Sequence, residues 1–199
     1  MELEHHSAGS PPVLSGGMTL FVRRDILLLA TAGILLPAGL CRSAAIAAEP
    51  LEPEQAELLA WLKKAGPADW HRCACTWNWD QPFDVPSWIV RQPRCDAGTA
   101  VTLFARGEPS YYGQFKSLAE IEAKAGTMME TVRFLIEICE RWQAGLYPAW
   151  RYRPDQLPEL DPASLPWPVP ATLARAEAKG EALDLGGWSE GFPAELYGR

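Results

Sequence analysis

His71, Cys73 and Cys75 follow one another at alternate positions, and imidazole nitrogen and thiolate sulfur are ligands that zinc and copper favour. The spacing argues against a metal site, because zinc knuckles use C-x-x-C and side chains two apart on a helix diverge. The preferred reading is a surface or half-buried histidine beside two core cysteines, with ligation by His71, Cys73 and Cys75 as the alternative and no cofactor expected. Asp80, Asp84 and Asp96 are the carboxylates available for acid–base work. A glycosidase-type pair would need two of them facing across a cleft. Asp84 and Asp96, however, precede helical runs as N-caps, and Asp80 sits in a turn of the kind aspartate favours. Nucleophilic catalysis would have to use His71 with a nearby serine or cysteine, and neither a G-x-S-x-G nor a C-G-x-C-W context accompanies it.

Cysteine and tryptophan supply the other candidates. Cys73, Cys75, Cys95 and Cys139 invite disulfides in an oxidising compartment, with three pairings of four open. A bond between Cys73 and Cys75 is disfavoured because their side chains point apart. Cys139 on an apolar helical face and Cys95 ahead of a helix cap read equally well as small buried hydrophobes. Nine tryptophans are an unusual number for 199 residues. Trp77, Trp79, Trp88, Tyr111 and Tyr112 could line a groove for sugar or peptide. The competing reading makes Trp88 and Trp142 core residues and Trp150 and Trp167 pins for the C-terminal segment.

The elements that must position these residues centre on 78–104. Val85, Trp88 and Ile89 recur at helical spacing after Asp84 with Pro86 in the first turn, and Gln92-Pro93 ends that helix. Asp96 caps a second helix through Ala97, Ala100, Val101 and Phe104. Upstream, Pro53 opens a helix through Leu58, Leu59 and Leu62 that stops at Gly66-Pro67, and Asp69 caps the next through Trp70, His71 and Cys75. Downstream, Gly107 to Gly113 reads as a loop. Ser117…Glu120 and Thr127…Glu130 read as capping boxes, and the longest helix runs from Thr127 to about Ala144 with Glu137 and Arg141 paired on its polar side.

N-W-D at Asn78-Trp79-Asp80, P-x-W-I-V ending Trp88-Ile89-Val90, and C-D-x-G-T-A-V-x-L-F from Cys95, Asp96, Gly98, Thr99 and Ala100 to Phe104 together resemble the signature of an uncharacterised bacterial family, one of the domains of unknown function. Its members show N-W-D, then a tryptophan or aliphatic helix, then C-D-x-[GA]-T-A-L-x-x-F. Val101 stands where the family usually has leucine. The resemblance covers Asp69 to Tyr112 and implies no activity.

Residues 1–17 read as an unstructured tail or an over-long start. Residues 18–47 have the parts of an export signal: Arg23-Arg24, an apolar run over 26–40 too short for a membrane span, and Ala45-Ile46-Ala47 as the cleavage site. Arg23-Arg24-Asp25-Ile26-Leu27 resembles a twin-arginine signal. The expected location is therefore periplasmic or secreted, delivered by the export machinery, with no stable membrane span after cleavage. Removing the leader leaves the net charge of −7 unchanged. Such a chain is a poor ligand for nucleic acid and for anionic membranes.

Residues 48–147 are expected to form a compact all-α, multi-helix domain. Residues 148–199 are expected to form a proline-rich wrapping segment anchored by Trp150, Tyr152 and Trp167, with one short helix over 171–182 and a loop from Trp188. The leading function is a noncatalytic protein- or peptide-binding module with an unknown partner. The alternatives are an exported metal-binding or hydrolytic enzyme using His71 with cysteine or aspartate, and an immunity or accessory protein of an antagonism system.

Overall fold

The computed structural model describes residues 51–197; the tail, the export signal and its cleavage site lie outside the described residues. At the centre is α4 (Ala97–Arg106), in which every residue from Ala97 to Ala105 is buried. Its sequence explains this: alanine, glycine and threonine let neighbours approach closely, and no charge interrupts it before Arg106. Packed on it are α2 (Pro67–Thr76), α3 (Asp84–Arg91) and α6 (Met129–Gln143). A further helix, α1 (Pro53–Leu62), rests on α3, and α5 (Leu118–Ala125) rests on α6. The fold is all-α, with one two-residue hairpin near the end of the described chain.

Several helix starts differ from the sequence reading. Asp84 is not a cap: Phe83 occupies that position, its buried ring packed on Trp79 and Phe134, and Asp84 is the exposed first residue of α3. Core packing of Phe83 sets the register there. Asp69 lies in the third position of α2 and accepts from the Gly66 N–H at 3.5 Å, so Gly66 is the cap. Ser117 does cap α5, accepting from the Glu120 N–H at 3.2 Å, while Glu120 accepts from the Lys116 N–H at 2.7 Å. No side chain caps α6. A 3₁₀ turn, Gly126–Met128, runs into it with Met128 already at helical angles, so the helix has no bare start for Thr127 to cap. The expected loop at 107–113 contains a 3₁₀ helix, Pro109–Gln114.

Glu137 and Arg141 do not pair with each other. Glu137 takes both ends of Arg91 at 2.6 and 2.7 Å. Arg141 donates to the carbonyls of Val90 and Arg91 at 2.8 and 3.1 Å. A cation from α6 therefore satisfies the last, otherwise orphaned carbonyls of α3, an interaction that a local i,i+4 reading cannot contain.

Residues 148–170 run extended over the helices, with one 3₁₀ turn at Pro162–Ser164. Trp167 is buried against Tyr112, and Trp150 stacks edge-on against Trp142. The expected helix over 171–182 shrinks to α7 (Ala171–Ala174). Its intended second half is used otherwise: Glu181 exchanges main-chain bonds of 2.8 Å with Arg151 and Arg153. From Trp188 the chain forms the hairpin β1 (Trp188–Ser189) and β2 (Phe192–Pro193) rather than a loop. Its turn residues, Glu190 and Gly191, both have positive φ, as the tight mirror-image hairpin turn demands.

Asp96 holds the extended segment down. Its carboxylate is 2 % exposed. Oδ1 accepts from the Gly98 N–H at 2.9 Å, the α4 cap, and from the Tyr152 N–H at 3.3 Å, while Oδ2 accepts from the Arg151 N–H at 2.7 Å. The Ala97 N–H donates to the Ala149 carbonyl at 2.7 Å. Gly98 makes the approach possible, since a Cβ there would lie 1.9 Å from the Tyr152 carbonyl oxygen. Asp96→Ala removes a cap and strands two further N–H groups. It should cost about 2–4 kcal/mol in urea unfolding and speed tryptic cleavage after Arg151. Unchanged stability and cleavage would show that the clamp does not hold the segment.

Candidate functional site

His71 is more deeply placed than its sequence suggests, at 1 % exposure. The Arg153 carbonyl, 3.0 Å from Nε2, can only accept, so Nε2 carries the proton, and Nδ1 accepts from the Thr99 hydroxyl at 3.0 Å. The Tyr152 ring lies over the imidazole at 5.3 Å. His71 thus ties α2 to α4 and to the extended segment in one contact set. Cys75 Sγ is 3.4 Å from Nε2, one helical turn along, whereas Cys73 points elsewhere into the core. Among the described residues no three His, Cys, Asp or Glu side chains converge in a way that could hold a metal ion.

Among the described residues Cys73, Cys75, Cys95 and Cys139 are buried free thiols, none joined to another. Burial raises the thiol pKa of all four, to about 12 at Cys75 and Cys139 and further at Cys73 and Cys95. A protonated thiol is a weak nucleophile and a weak metal ligand, so His71 and Cys75 lack the character of an activated pair.

The carboxylates are dispersed among roles. Asp96 is consumed by the main chain, Asp84 is exposed on α3, and Asp80 stands beside the 78–80 turn in which Asn78 Oδ1 accepts from the Asp80 N–H at 3.0 Å. Of the family signature, Ile89, Cys95, Ala100 and Phe104 are buried core, and Trp88 packs edge-on against Trp70. Gly98 and Thr99 serve the two clamps.

Trp79 and Asp80 lead to a different place. With Tyr111, Tyr112, Arg106 and Glu108 they line an open cleft of about 540 Å³, completed by Gly107, Met128, Thr131 and Gln156. Three of the five aromatics read as lining a groove, Trp79, Tyr111 and Tyr112, therefore meet, and Trp88 packs on Trp70 instead. Trp77 does not join them, being buried against Gly191 of the hairpin. Tyr111 is 44 % exposed and stands edge-on to the buried Tyr112. Arg106 is neutralised by Asp155 at 3.0 Å. Glu108 follows α4 at φ +50, a left-handed conformation that costs a non-glycine residue about 1 kcal/mol or more. Arg106, Glu108, Thr131 and Gln156 escaped the sequence reading because neither motif nor periodicity marks them, and Gln156 comes from the distant extended segment.

Burial holds the His71 pKa below its ordinary 6.5, with the Arg153 carbonyl, Asp96 and Asp155 opposing and Arg72 reinforcing. Below pH 6.5 the unfolded chain binds this proton more readily than the folded one. The stability due to neutral His71 is therefore complete above that pH and lost as pH falls through the acid range beneath it. Urea midpoints measured from pH 7 to pH 5 should fall more steeply for the natural protein than for His71→Gln. Equal slopes would mean that His71 is not held neutral.

No helix among the described residues is long and apolar enough to cross a membrane. No curated protein and no solved structure matches the chain. Residues 65–142, from the turn before α2 almost to the end of α6 and including both clamp residues His71 and Asp96, match the family model described as Domain of unknown function (DUF4274).

Proposed function

We propose that this protein is an exported binding domain whose cleft at Trp79, Tyr111 and Tyr112 receives a segment of a partner protein. The observation that carries the reading is the convergence of these aromatic side chains, two carboxylates and an already paired arginine around one open cleft. Aromatic faces give large contact area at little conformational cost, and nearby polar groups orient what they hold. The other chemically versatile groups, His71 and the cysteines, have their capacity taken up by packing and internal hydrogen bonds. Export is supported by the basic pair, apolar run and A-x-A stretch within residues 18–47.

Peptides selected from a random displayed library on the full mature chain should bind natural protein and lose roughly 5- to 30-fold in affinity against Tyr111→Ser, the range of a good aromatic contact. Tyr111 is exposed enough for this change to leave the fold intact. Failure to enrich any peptide, or enrichment of peptides indifferent to Tyr111→Ser, would overturn the cleft as the binding site. Intact mass of protein recovered from producing cells should correspond to a chain beginning at Ala48. A chain still carrying residues 18–47 would overturn the cleaved export signal.

A further inference from the structure

We infer that the cleft selects a basic side chain, an arginine in preference to a lysine, as the anchor of its partner segment; this rests on the binding reading above and adds the chemical class of the ligand. The charge around the cleft is one-sided once its pairs are counted. Arg106 is engaged by Asp155 at 3.0 Å, which leaves the carboxylates of Asp80 and Glu108 as the lining charges without an ion-pair partner among the described residues. Carboxylates only accept, so an occupant must bring donors. The half-exposed ring of Tyr111, with Trp79 beside the same cleft, offers aromatic surface to a cation.

The same chain already uses this chemistry internally. Arg94 lies over Trp70 at 6.0 Å, Arg141 over Tyr147 at 5.9 Å and Lys179 over Trp150 at 5.8 Å. No such cation covers Trp79 or Tyr111 among the described residues. A guanidinium meets both demands, since its planar fork bonds carboxylates side-on while its face stacks on a ring; an ammonium supplies the charge without the plane. The net charge of −7 adds long-range attraction of the same sign.

Four blocked pentapeptides test this on the full mature chain: acetyl-Ala-Ala-X-Ala-Ala-amide with X as arginine, lysine, glutamine or glutamate, titrated by NMR while the Trp79 indole and Tyr111 ring signals are followed. Arginine should bind about tenfold more tightly than glutamine, with lysine between and glutamate weakest, the combined effect of one exposed cation–aromatic contact and one exposed ion pair. Asp80→Asn and Glu108→Gln should each weaken the arginine peptide about threefold and leave the glutamine peptide unchanged. Raising the salt from low to physiological concentration should narrow the gap between arginine and glutamine. Arginine and glutamine peptides binding equally, both sensitive to Tyr111→Ser, would overturn the basic anchor and leave the cleft as a binding site. Arginine binding indifferent to both carboxylate variants would also overturn the anchor. Binding of none of the four at these signals would overturn the inference together with the reading it rests on.

Discussion

The carboxylate of Asp96 accepts from three main-chain N–H groups that belong to two distant parts of the chain, and the arrangement of the protein depends on that sharing. One of the three is at the start of α4, so Asp96 performs the ordinary duty of a helix cap. The other two belong to Arg151 and Tyr152, more than fifty residues later. A buried carboxylate is tolerable only when its lone pairs are taken up by donors, and the helix start alone does not supply enough. The extended segment completes the set and is itself held by it. Gly98 is the geometric condition for this, because any side chain there would displace the Tyr152 carbonyl.

The remaining attachments repeat the same device with different chemistry. His71 gives its proton to the Arg153 carbonyl, and Thr102 accepts from the Asp155 N–H at 3.4 Å. Tryptophan indoles do likewise at the periphery: Trp150 donates to the Lys179 carbonyl at 3.2 Å, Trp142 to the Thr172 hydroxyl at 2.9 Å and Trp61 to Glu195 at 2.7 Å. A proline-rich chain cannot build a regular hydrogen-bond ladder of its own, so its main chain is satisfied by side chains from the helices beneath it. By contrast, the exposed ion pair Lys124–Glu120 is of a kind that contributes little to stability. The region matching the family model stops before the extended segment, yet it contains Asp96, Gly98, His71 and Thr99. Asp96 and Gly98 of the signature therefore serve as a receptor for main chain.

The cleft lies apart from both clamps in its lining, and the two sites draw on different parts of the N-W-D and C-D-x-G-T stretches. Trp79 links the cleft to the core through its contacts with Phe83 and Phe134. Asp155 links it to the extended segment, since the residue whose main-chain N–H donates to the Thr102 hydroxyl also neutralises Arg106 through its carboxylate. The lining is consequently anchored on both sides by buried structure, which favours a preformed site.

The sequence by itself determined the all-α class, the existence and order of the main helices, the caps Asp96 and Ser117, and the extended character of the proline-rich segment with its aromatic anchors. These depend on period, capping chemistry and proline sterics, which act within a few residues. It missed the positions where local rules are overruled by packing: Phe83 displaces Asp84 from the cap position of α3, Glu137 prefers Arg91 to Arg141, and α7 gives up its second half to main-chain pairing with Arg151 and Arg153. The tertiary structure alone decided that His71 is buried, that Asp96 has a second duty, and that Trp79, Glu108, Tyr111 and Gln156 share a cleft from which Trp77 is excluded. Those outcomes depend on residues far apart in sequence meeting in space. Helical period and turn chemistry say which faces must be covered, and only the packed chain settles what covers them.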